Sequence, residues 1–86
     1  MNARLTKWYD NKYAIPAHEK LVMQACSKEN GPVDFIITVK RVSDFTAVYR
    51  LYKVDGRHDA RGVKLVKYTG KQSSDPTILE DIIFGK

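Results

Sequence analysis

Nine basic residues and three tyrosines fall between Lys40 and Lys71, and they are the residues whose chemistry is most suggestive. The bases are Lys40, Arg41, Arg50, Lys53, Arg57, Arg61, Lys64, Lys67 and Lys71. Only Asp44, Asp55 and Asp59 oppose them, so the stretch carries +6 in a chain of net charge +5. Guanidinium and ammonium groups neutralise phosphates, and tyrosine rings stack on unpaired bases. Tyr49, Tyr52 and Tyr68 supply such rings within the same stretch. The pattern points to a polyanion, although a solvated sheet face whose Lys and Arg stems cover apolar neighbours has the same composition.

Other chemistry has little to stand on. His18 and Cys26 lie eight residues apart. On a helix that is about 12 Å along the axis, too far to pair directly. The two histidines and single cysteine lack zinc-ligand spacing. Asp55, His58 and Asp59 could meet around a cation, but oxygen-rich loops are usually only turns. Gly56 and Gly62 bracket a polar segment without matching a phosphate-binding loop. The expectation is a non-catalytic protein with no metal and no cofactor.

At 86 residues the chain is expected to form one domain with a modest core. A hydrophobic content of 43% argues against wholesale disorder. Cys26 is alone, which excludes an intramolecular disulfide and fits a reducing compartment. Residues 1–10 contain no apolar signal segment, and no apolar run reaches the ~18 residues of a membrane span. A cytoplasmic location without membrane contact is expected.

The elements that must position the basic residues read as follows. Residues 33–68 suggest a three-stranded meander. Phe35, Ile37 and Val39 alternate with Asp34, Thr38 and Lys40, and Ala47, Tyr49 and Leu51 alternate with Arg50 and Tyr52. For these apolar sets to share a face, opposed residue numbers must sum to an even number. That requires a three- or five-residue turn, or a bulge, around Ser43-Asp44. A three-residue turn would pair Val39 with Ala47 and Ile37 with Tyr49. The third strand is expected near 62–68, after a long polar loop over 55–62. Phe45, Val63 and Leu65 join the expected core face. On the reverse face Lys40, Arg50 and Lys64 stand with Tyr52 and Tyr68, while Lys53 and Lys67 take the core-side parity.

Residues 16–30 suggest a helix. Pro16 suits a start, Gly31-Pro32 a stop, and Leu21, Val22, Ala25 and Cys26 make an apolar stripe. Residues 76–84 suggest a short second helix capped by Asp75 and ended by Gly85, with Ile78, Leu79, Ile82 and Ile83 on its apolar side. Residues 70–74 would be a linker. Residues 1–15 fit either a helix or a hairpin, Leu5–Tyr9 then Tyr13–Ile15, and Trp8, Tyr9 and Tyr13 could cover the sheet's second face.

A helix–strand–strand–strand–helix order is loosely similar to that of double-stranded-RNA-binding domains. Their last helix begins with basic residues, whereas Asp75, Glu80 and Asp81 make this one acidic, so no membership is claimed. The fold expected is α+β, an antiparallel sheet of three to five strands with one or two helices on one face. The function expected is nucleic-acid binding by Lys40, Arg50, Lys53, Arg57, Arg61, Lys64 and Lys67, with Tyr52 and Tyr68 for stacking. The alternative is a protein-interaction module, such as a small inhibitor or accessory factor, docking on an acidic surface. A homodimer through a sheet edge or the Tyr52 face is a further expectation.

Overall fold

In the computed structural model, which describes residues 2–5 (backbone alone) and 13–85, the chain forms five strands and one helix. The strands are β1 (Asn2–Leu5), β2 (Glu19–Cys26), β3 (Phe35–Arg41), β4 (Ala47–His58) and β5 (Lys64–Ser73). They pair antiparallel in sequential order, and α1 (Pro76–Phe84) packs on one face of the sheet. The fold is α+β, as the sequence suggests.

The β3–β4 register obeys the parity argument. Arg41 opposes Ala47, Val39 opposes Tyr49 and Ile37 opposes Leu51. The connection is the five-residue segment Val42–Thr46, closed by the Val42 N–H donating to the Thr46 carbonyl at 2.9 Å. The pairing of Val39 with Ala47 is not adopted. The longer turn carries Phe45 out of the core to the hairpin tip, where it is 99% exposed.

Residues 16–30 are not a helix; β2 occupies their centre. A bulge explains the error. Leu21 pairs with Thr38 and Met23 with Ile37, so Val22 is an extra residue in β2. An inserted residue reverses which face the following side chains meet. Leu21 therefore joins the core of one face and Ala25 that of the other. The resulting apolar spacing imitates a helical stripe. The double-stranded-RNA-binding order fails with it, since no helix precedes this sheet among the described residues.

Two further irregularities shape β4 and β5. β4 continues through the expected loop to His58, carrying Asp55, Gly56 and Arg57 opposite Leu65. On β5, Thr69, Gly70 and Lys71 oppose Leu51, and the Thr69 hydroxyl donates to the Leu51 carbonyl at 2.8 Å. Gly56 and Gly70 have φ of 85° and 84°, a region that glycine enters without penalty. The expected linker over 70–74 is thus largely strand. The expected 55–62 loop shrinks to a turn in which Asp59 Oδ1 accepts the Arg61 and Val63 N–H groups.

The helix matches expectation. Asp75 accepts from the Thr77 N–H at 2.9 Å, Pro76 opens the first turn, and Gly85 closes it in the left-handed region. Leu79 and Ile83 bury against Ala25, Ile37 and Leu51. Ile78 and Ile82, expected on the same apolar side, are 52% and 46% exposed.

The opposite face has its own core of Tyr13, Leu21, Ile36 and Tyr52. The Ala14 N–H donates to the Lys64 carbonyl on β5, while the Tyr13 hydroxyl donates to Gln24 on β2. In a flat sheet β2 and β5 would stand ~14 Å apart, so this tie reflects a coiled sheet. Asn2–Leu5 pairs with β2, and Leu5, where the expected Leu5–Tyr9 hairpin strand begins, is opposed to Met23. The remainder of that reading, with Trp8 and Tyr9, lies outside the described residues.

Candidate nucleic-acid interface

The face opposite α1 is organised around a carboxylate. Glu19, at the start of β2, has a side chain only 2% exposed. Its Oε1 accepts the Thr38 hydroxyl of β3 at 2.7 Å and the Tyr52 hydroxyl of β4 at 2.6 Å. Its Oε2 accepts Arg50 Nη1 at 3.0 Å. A buried carboxylate is tolerated only with such donors around it. Burial, followed by the hydrogen bond to Glu19, pushes the Tyr52 hydroxyl up to about 12. Strand parity assembles the cluster, because Thr38 and Arg50 are directly opposed.

Outward from this cluster the face opens. Tyr68 of β5 is directly opposed to Tyr52, with ring centroids 5.5 Å apart and planes tilted by 46°. The Arg50 guanidinium lies 5.6 Å from the Tyr68 ring centre, within cation–π range. Gln72 Oε1 accepts both Arg50 Nε at 3.3 Å and the Tyr68 hydroxyl at 3.2 Å. Tyr68 is nonetheless 42% exposed. An aromatic ring is thus presented to solvent while braced from behind by Arg50 and Tyr52.

The sequence-derived candidates divide accordingly. Lys40, Arg50, Tyr52 and Tyr68 come together on this face, with Lys40 opposite Glu19. Tyr52 is 5% exposed and committed to Glu19, so it is neither a stacking platform nor a dimer surface. Arg50 is partly neutralised by Glu19. Arg57 and Arg61 are not mobile loop cations: each grips the aspartate two residues before it, Asp55 at 2.8 Å and Asp59 at 3.1 Å. The Val63 N–H and then Arg61 hold the Asp59 carboxyl below its ordinary value. Asp55, His58 and Asp59 do not gather as a cation site, and among the described residues no cluster of metal-ligating side chains occurs.

Lys53 and Lys67 are directly opposed across β4 and β5 and exposed. They follow Phe35 on the helix-side row, beyond the cover of α1, which at 9 residues is only ~13 Å long. Like charges so opposed are mutually destabilising. Lys64 is half-buried beside the Tyr13 bridge.

Sequence reasoning missed Glu19, Thr38, Gln24 and Gln72. Glu19 was legible in principle: once residues 19–21 are read as strand, it shares the parity of Leu21 and faces the core. Cys26 is half-buried on β2. Among the described residues no helix is long and apolar enough to cross a membrane. Comparison with protein-family profiles, curated proteins and solved structures gives no match, so the braced Tyr68 ring and its basic neighbours carry the functional argument.

Proposed function

We propose that this chain is a non-catalytic nucleic-acid-binding protein that uses β5 and the exposed part of the Arg50–Tyr68 face. The observation that supports this most is Tyr68, a presented and braced ring in a strand containing Lys64, Lys67 and Lys71 and no acid. A ring held in place loses little entropy when a base stacks on it, and Lys40 and Arg50 on the same face supply phosphate contacts. Lys40 extends the positive surface onto β3, while Arg41, Lys53 and Lys67 stand on the α1-side row and add only to the long-range field. Arg57 and Arg61 contribute less, since each already has a carboxylate partner. The lone thiol of Cys26 fits a reducing, cytoplasmic setting.

Fluorescence anisotropy with a labelled oligonucleotide tests the reading. Affinity falls steeply as salt rises, because each neutralised phosphate releases counterions. Lys40→Gln weakens binding to all sequences alike and lowers the salt slope by about one unit. A wild-type protein that fails to bind at low salt sinks the proposal.

The exposed Ile78 and Ile82, one turn apart on α1, favour a second reading as a protein-interaction module or homodimer. A stoichiometric partner captured after nuclease treatment supports that reading. A strict monomer by light scattering at high concentration eliminates the dimer.

A further inference from the structure

The β3–β4 hairpin tip presents a second aromatic ring, Phe45, at 99% exposure, next to Val42 at 53% and exposed Arg41. A phenylalanine wholly in water makes no contribution to the core, so its ring face is free to stack on a ligand. The register places the tip relative to Tyr68. Tyr68 opposes Tyr52, and Tyr52 to Thr46 at the hairpin end is about 20 Å along β4 at ~3.4 Å per residue. Between the two rings lie Arg50 and then Lys40, with Lys71 at the β5 edge. Two acids accompany them: Glu19, buried and paired with Arg50, and Asp44, exposed beside Phe45.

Resting on the nucleic-acid reading, we propose that the ligand is single-stranded and runs from Tyr68 to Phe45. Unpaired bases stack on the two rings while Arg50 and Lys40 follow the backbone. Two observations favour a single strand over a duplex. Stacking rings at both ends of the path need bases with free faces, which a paired helix hides. The sole helix among the described residues, α1, contains Glu80 and Asp81 and no lysine or arginine, so it is unsuited to a phosphate-lined groove. A span of about 20 Å accommodates a handful of nucleotides, near the lower end of the ~4 to 16 typical of single-strand sites.

The experiment compares a labelled 12-nucleotide single strand with the same sequence as a duplex, at low salt, against wild type, Phe45→Ala and Tyr68→Leu. Phe45 packs against nothing in the core, and leucine keeps bulk at Tyr68; circular dichroism verifies both folds. The expected result is at least tenfold preference for the single strand and a five- to tenfold loss of its affinity in each variant. Duplex binding as tight as single-strand binding, or a Phe45→Ala variant indistinguishable from wild type, overturns the path while leaving nucleic-acid binding intact. The second result would leave Phe45 to a protein partner. Absence of wild-type binding to either probe overturns the underlying reading as well.

Discussion

Glu19 is the residue on which one face of the sheet depends. Its carboxylate satisfies two hydroxyls that would otherwise be buried without an acceptor, each worth ~1–3 kcal/mol if orphaned. Tyr52 records the arrangement in its ionisation. The folded protein keeps the Tyr52 proton up to about 12, whereas the unfolded chain releases it near the ordinary value of 10.0. The folded state therefore holds more protons between these values. The stability from this group is intact below pH 10 and declines as pH climbs toward 12. Urea denaturation at pH 9 and pH 11 should show a loss of about 1 kcal/mol from this residue, absent in Tyr52→Phe. An equal loss in that variant would assign the decline to other groups.

Among the elements, those whose signals are local were legible. Asp75-Pro76 and Gly85 fix the ends of α1, and alternation fixes β3 and β4. Asp75→Ala should cost about 1 kcal/mol, measured as a lower denaturation midpoint with an unchanged slope. The illegible parts share one physical cause. A bulge inserts residues without any characteristic side chain, and afterwards every neighbour faces the other way. Val22 made β2 resemble a helix, and the extra residues around Gly56 and Gly70 made strand look like loop and linker. The candidate site suffered in the same way. Parity correctly brought Arg50, Tyr52, Tyr68 and Lys40 onto one face, but Tyr52 could not be known to be buried while Glu19 was assigned to a helix and cover by Tyr13 was one alternative among several.

For the whole molecule, the positive charge is uneven in its availability. Two arginines are neutralised by adjacent aspartates and a third by Glu19, which leaves the lysines and Arg41 to supply most of the field among the described residues. The Lys53–Lys67 pair carries a small folding penalty. Lys53→Glu should raise stability by about 0.5–1 kcal/mol in low salt, fading as salt screens the pair, while weakening oligonucleotide binding. Thermal melts at two ionic strengths measure the first effect and anisotropy the second. The contact between Tyr13 and Lys64 has a consequence in time. Sequential strand pairing lets β2 to β5 zip as successive hairpins, each closing a short loop. The Tyr13 tie joins chain segments about 50 residues apart, an entropic cost on the order of 3.5 kcal/mol. It therefore forms late, after β5 has docked. During synthesis the face bearing Glu19 and Tyr52 therefore stays unsealed until Lys64 has left the ribosome.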